Sequence, residues 1–252
     1  MLTHPLFEQL KTLHCDGMLE AFQDQLNTPD INHLSFDERF ALLIEREYLL
    51  RENKRLTNRL RQAKLKEPAA CIEDIDYSAE RHLSKTVITR LAECGFISRK
   101  ENILITGPTG AGKTYLACAF ANQACRQGYG ARYIRLPKLF QEITIAKADG
   151  SYIKLMEHVA KLSLLILDDW GIAPMTDANR RDLLEIIDDR YHRSSTLITS
   201  QLPVQAWHDS VGDATLGDAI LDRLMHNAHR IEVKGPSMRE IIAKKTRKKE
   251  IL

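Results

Sequence analysis

Eight residues limit what this chain can fold into more than any others. Gly107-Pro108-Thr109-Gly110-Ala111-Gly112-Lys113-Thr114 follows the apolar run Ile103 to Ile105 and leads into Tyr115-Leu116-Ala117-Cys118-Ala119. It therefore satisfies G-x-x-x-x-G-K-[ST] in the strand, loop and helix setting that the motif requires. Chance yields the bare pattern in about one average-composition chain in a hundred, and the flanking elements make coincidence rarer still. Glycines let the loop wrap its N–H groups around phosphates, and the following helix adds the positive end of its dipole. Lys113 is expected to reach the β- and γ-phosphates of a nucleoside triphosphate, and the Thr114 hydroxyl to bind Mg2+.

A second element supports this chemistry. Leu164-Leu165-Ile166-Leu167 ends in Asp168-Asp169, and a buried parallel strand delivers such acids at its carboxyl edge, where phosphates also bind. Asp168 is expected to hold Mg2+ through water, and Asp169 to orient or deprotonate an attacking water. Further short apolar runs occur at Arg132 to Leu136, Thr196 to Ile198 and Ile231 to Val233. Amphipathic stretches near Lys113 to Gln127, Pro137 to Ala148, Asn179 to Tyr191 and Gly217 to Asn227 separate the runs. Strands alternating with helices imply an α/β fold, a parallel five-stranded sheet between helices.

Residues 1–66 read instead as a small all-helical domain, broken near Asn27 to Leu34 around Pro29. The expected organisation is therefore 1–66 helical, 67–235 nucleotide-binding and 236–252 a basic tail. Formal net charge is only +2, so position matters more than the total. Arg51 to Lys66 carries seven basic residues against Glu52 alone, and Lys234 to Leu252 seven against Glu240 and Glu250. Such clusters on an otherwise acidic body suggest polyanion-binding surfaces, with Arg51, Lys54, Arg55, Arg59, Arg61 and Lys64 the first candidates for duplex DNA. An odd set of five cysteines without a CxxC pair argues against a disulfide framework. No apolar run approaches a membrane span, no secretory leader is read at the N-terminus, and a cytoplasmic location without a membrane partner is expected.

Together the loop GPTGAGKT, the strands LLILDDWG and TLITSQLP, the segment AILDRLMHNAHRIEV and the closing GPSMR resemble an AAA+ ATPase of the DnaC/DnaA-related branch. Most closely the chain resembles the IstB-type helper ATPases of insertion-sequence transposition, over nearly its whole length. The resemblance implies a P-loop AAA+ domain with a reduced or absent helical lid, ATP and Mg2+ as cofactors, and a homo-oligomer with ATP at subunit interfaces. It also implies duplex DNA and a transposase as partners. Ser200-Gln201 then takes the place of the sensor between the carboxylates and the γ-phosphate, and Arg223 matches the arginine finger inserted into a neighbour's site. Arg239 resembles the second sensor only loosely, because 17 residues follow Gly235, too few for the usual lid. Asp169 stands where most relatives in the wider class carry Glu, and slow hydrolysis is expected from the shorter side chain.

Two other activities share these motifs. A replicative-helicase loader of the DnaC type would carry nearly the same ATPase core, and a small-molecule P-loop kinase would carry the same GPTGAGKT. The basic clusters and tandem aspartates favour the DNA-associated ATPase.

Overall fold

A computed structural model of the chain describes residues 3–77, 81–238 and 240. It divides into two compact units, Met1–Asn58 and Arg59–Leu252. The division falls inside a helix and ahead of the boundary at residue 66 suggested by composition.

The first unit contains α1 (Thr3–Thr12), α2 (Asp16–Asn27), a 3-10 turn at Ile31–His33 and most of α3 (Phe36–Ala63). Its break at Asn27 to Leu34 is as expected, but a second one separates α1 from α2, where His14 takes a left-handed φ of 54°. Helix α2 begins at Asp16 without a side-chain cap on Cys15. Glu47 of α3 serves instead, accepting the Gly17 and Met18 N–H groups at 2.7 and 3.2 Å. Burial raises the pKa of this carboxylate, yet the hydrogen bonds from Arg51, Met18 and Gly17 outweigh it and hold Glu47 below the usual value. A Cβ on Gly17 would stand 2.7 Å from the Glu47 Cα, so glycine is what lets the two helices approach.

The second unit contains α4 (Lys85–Ala92), α5 (Gly95–Ser98), β1 (Asn102–Thr106), α6 (Lys113–Arg126), β2 (Ala131–Arg135) and α7 (Leu136–Asp149). It continues with α8 (Tyr152–Lys161), β3 (Leu164–Trp170), α9 (Asp177–Arg190), β4 (Ser195–Ser200), α10 (Trp207–Val211), α11 (Ala214–Met225) and β5 (Ala228–Glu232). The five strands pair in parallel in the order β2-β3-β4-β1-β5. Every residue of β1 is buried, as a strand covered on both faces requires. Helix α6 packs across β1, β2, β3 and β4. Leu104, Leu165, Leu167 and Ile198 share a core with Leu139 of α7, Val159 of α8, Leu183 of α9 and Leu224 of α11. The observed elements lie within three residues of those expected from periodicity, while α4, α5, α8 and α10 were not anticipated.

Trp170 and Trp207 stack with centroids 5.1 Å apart and are 1% and 0% exposed, so they pack the core. Arg190, in the last turn of α9, is buried. Its guanidinium is 1% exposed and donates to Val159 O at 2.7 Å, Leu162 O at 2.9 Å, Ser195 O and Thr196 Oγ1, tying α9 to α8 and β4. Replacing it by methionine would leave buried carbonyls without a donor, at about 1–3 kcal/mol each. Arg190→Met is expected to destabilise the second unit by about 3 kcal/mol or more in urea unfolding. A loss below about 1 kcal/mol would show that other donors take its place.

Candidate functional site

Sheet order decides where the chemistry gathers. Strand β1 lies between β4 and β5, and β3 between β2 and β4, so the loop after β1 and the ends of β3 and β4 open on one carboxyl edge. Helix α6 starts at Gly112 without a side-chain cap, which leaves its first N–H groups directed into the loop. Gly112 has φ +96°, a left-handed conformation that glycine adopts without strain. A Cβ on Gly107 would stand 2.1 Å from Val233 O, so the loop can pass this close to the chain after β5 only as glycine. The loop residues Pro108, Thr109, Gly110 and Ala111 complete the turn, with Ala111 N–H donating to Pro108 O at 3.3 Å and Met238 N–H to Gly110 O at 2.9 Å.

Lys113 is 9% exposed and its ammonium donates to Gly107 O at 2.8 Å and Pro108 O at 2.9 Å. The lysine thus folds over the loop that it is expected to serve. Thr114 Oγ1 lies 3.1 Å from Asp168 Oδ2 and 3.3 Å from Oδ1. This hydroxyl and carboxylate are hard oxygen donors of the kind Mg2+ takes, so the residues fit that ion.

Asp168 is 1% exposed and is gripped from both neighbouring strands. Tyr133 Oη of β2 donates to Oδ2 at 2.5 Å, and Thr199 Oγ1 of β4 donates to Oδ1. Burial, and then the bond to Asp168, push the Tyr133 phenol well above its ordinary pKa, which keeps it a donor. Neither residue stood out in the sequence, because a tyrosine or threonine inside an apolar run ordinarily reads as strand packing.

Asp169 follows a different course. In a regular strand it would point away from Asp168, but the pairing of β3 with β4 shifts between Leu167 and Trp170. Asp169 itself takes φ +65°. Such a bulge re-aims a side chain, and a left-handed non-glycine residue costs about 1–3 kcal/mol, a strain that clusters at functional sites. The Asp169 carboxylate meets Arg135 Nε of β2 at 2.5 Å. It also borders a cleft of about 390 Å³ lined by Leu136, Pro137, Phe140 and Pro174 among others.

Of the pair ending β4, Gln201 rather than Ser200 faces the loop, its Oε1 accepting from Thr109 Oγ1 at 2.7 Å. Ser200 is 0% exposed, and its hydroxyl donates to Trp170 O and accepts from Leu202 N–H. The Ser200 hydroxyl thus fixes the turn after the strand, while its carbonyl accepts from Gly107 N–H of the loop at 3.2 Å. Arg223, on α11, pairs through Nε with Asp188 at 2.6 Å and donates from Nη1 to Ala219 O at 2.8 Å, with its side chain 30% exposed. Arg239 lies outside the described residues, as does most of the basic tail.

The basic residues of α3 are largely engaged within the chain. In the first unit Arg51 pairs with Glu47 at 2.5 Å, Lys54 with Asp16 at 3.0 Å and Arg55 with Glu52 at 2.6 Å. In the second unit Arg59 donates to Cys125 O at 2.9 Å, while Arg61 and Lys64 are exposed. Arg51, Lys54 and Arg55 keep side chains 48%, 61% and 64% exposed, and pairs with one partner this open to solvent add little to stability. Among the described residues no helix is long and apolar enough to cross a membrane.

Comparison with known proteins agrees with this architecture. A putative insertion sequence ATP-binding protein of Sinorhizobium fredii is 46% identical over 239 residues, covering 95% of this chain and 97% of that relative. The insertion sequence IS21 putative ATP-binding protein of Pseudomonas aeruginosa is 28% identical over 234 residues, 93% of this chain and 87% of its own length. Among solved structures, DnaI superposes with a TM-score of 0.57 at 22% identity over 66% of this chain and 91% of that one. The DnaC helicase loader superposes with a TM-score of 0.55 at 19% identity over 66% and 97%. At those identities the likeness is one of fold, that of the P-loop AAA+ class. The family described as IstB-like ATP binding protein matches residues 8–249, and the chain belongs to that family.

Proposed function

We propose that this protein is an ATP-hydrolysing switch that assembles side by side on duplex DNA and recruits or activates a transposase. The observation that carries the ATPase reading is the meeting of Lys113, Thr114, Asp168 and Gln201 around one phosphate loop, with Asp169 beside them at the end of β3. The loop N–H groups and Lys113 bind the phosphates, whose oxygens replace Gly107 O and Pro108 O as acceptors for the ammonium. A Mg2+ held by Thr114 and, through water, by Asp168 would neutralise charge on the β- and γ-phosphates. Gln201 orients the γ-phosphate and the attacking water, and Asp169 takes the proton that the water loses. Arg223 of one subunit completes the site of the next, so ATP ties assembly to nucleotide state and hydrolysis releases it.

The test is ATP turnover against protein concentration, with and without duplex DNA. Specific activity is expected to rise with concentration and again with DNA. A rate indifferent to both would remove the shared-site reading, and phosphate appearing on an acceptor instead of free in solution would favour the kinase. Recovery of a transposase or of a hexameric helicase as the bound partner separates transposition helper from helicase loader. Phosphate contacts by the basic residues of α3 predict DNA binding that weakens steeply with salt, by about 0.9 log unit per log unit of salt for each phosphate neutralised. Lys54→Ala or Arg61→Ala is expected to reduce that slope; an unchanged slope would place the contact elsewhere.

Arg135 Nε donates to Asp169 Oδ2 at 2.5 Å, so one of the two oxygens that could receive the water's proton is already occupied by a donor. Arg135→Ala is expected to raise DNA-independent turnover about fivefold, the equivalent of ~1 kcal/mol. A fall in the steady-state rate would mean that Arg135 orients Asp169 productively.

A further inference from the structure

A carboxylate as deeply buried as Asp168 must be held by hydrogen bonds, and its two inner donors come from opposite sides. Tyr133 reaches Oδ2 from β2 and Thr199 reaches Oδ1 from β4, while Thr114 approaches from the start of α6. Tyr133 is 8% exposed and Thr199 1% exposed. Phenylalanine would fill nearly the same space as Tyr133, so what the tyrosine adds is its hydroxyl, and that hydroxyl is spent on Asp168. Rotation of an aspartate carboxylate about its last torsion is broad and roughly two-fold. Donors on both oxygens, fixed to two different strands, remove that freedom.

We propose that Tyr133, with Thr199, is a positioning residue for divalent-cation binding, locking the Asp168 carboxylate in the orientation that receives the metal of a metal–nucleotide complex beside Thr114. Neither side chain touches the nucleotide; each acts through Asp168. This inference rests on the nucleotide-site reading above. Partners that orient a metal-binding carboxylate typically contribute 10- to 100-fold to metal affinity.

The experiment titrates ADP into the full chain by calorimetry at a series of MgCl2 concentrations and in EDTA. The parent is expected to bind ADP more tightly as Mg2+ rises. Tyr133→Phe is expected to need about tenfold more Mg2+ to reach half of that gain, with ADP affinity in EDTA unchanged. Thr199→Val, which keeps shape and loses the hydroxyl, is expected to shift the midpoint in the same direction and serves if Tyr133→Phe does not fold. Lower melting temperatures with the parent's Mg2+ midpoint in both variants would reduce the two residues to packing and overturn the proposal. Failure of the site reading looks different: the parent would bind no ADP, or Lys113→Ala would bind it as well as the parent.

Discussion

Replacing Arg223 by alanine is expected to lower ATP turnover by about 10³- to 10⁵-fold, the contribution of an arginine finger and equivalent to ~4–7 kcal/mol of barrier. Within its own chain the guanidinium is bound to Asp188 and Ala219 O, whereas Lys113 and Thr114 are bound to the loop and to Asp168. On the proposed reading, Arg223 supplies its charge to a neighbour's γ-phosphate and leaves nucleotide affinity at its own loop nearly untouched. Mixing makes the test sharper. Lys113→Ala lacks the loop lysine but keeps the finger, and Arg223→Ala has the reverse defect, so a mixed assembly contains interfaces at which both intact groups meet. Turnover is expected to recover on mixing two nearly inactive proteins. If activity stays absent while the variants still assemble, each site is complete within one chain and the finger lies elsewhere.

The second large effect concerns Asp169. Asp169→Asn keeps size and hydrogen-bonding capacity but cannot take a proton, and loss of a positioned general base typically costs 10²- to 10⁴-fold. ATP binding is expected to persist, because the phosphates are held by the loop and Lys113. Single-turnover measurements therefore separate the variant from Lys113→Ala, in which binding itself fails. Unchanged turnover would remove Asp169 from the mechanism. The bulge and left-handed backbone at Asp169 then become testable too. Asp169→Gly would relieve the strain and remove the carboxylate together, so it should be as inactive as Asp169→Asn while being no less stable to urea.

Elements with local signatures were the legible ones. GPTGAGKT and the apolar run before Asp168 announce themselves because a phosphate loop and a buried strand are specified by near neighbours in sequence. Helix α8 does not stand out in the sequence even though Met156 and Val159, buried and three residues apart, recur at helical spacing. The break between α1 and α2 was missed because His14, not glycine, adopts the left-handed turn. In the sequence Ser200 and Gln201 form one polar pair. Side-chain alternation in β4 sends the first into the turn over Trp170 and leaves the second beside Thr109.

By itself the sequence determined the class of fold, the phosphate loop, the two acids at a strand end and the family, because each depends on residues adjacent in the chain. Only the tertiary structure decided what those acids touch. Strand order places β2 and β4 on either side of β3, and that order follows from how crossover helices pack, not from any short segment. Tyr133 and Thr199 meet Asp168, and Arg135 meets Asp169, from positions about 30 residues away. Parallel register and one bulge set those meetings, and both are products of the whole sheet packing against its helices.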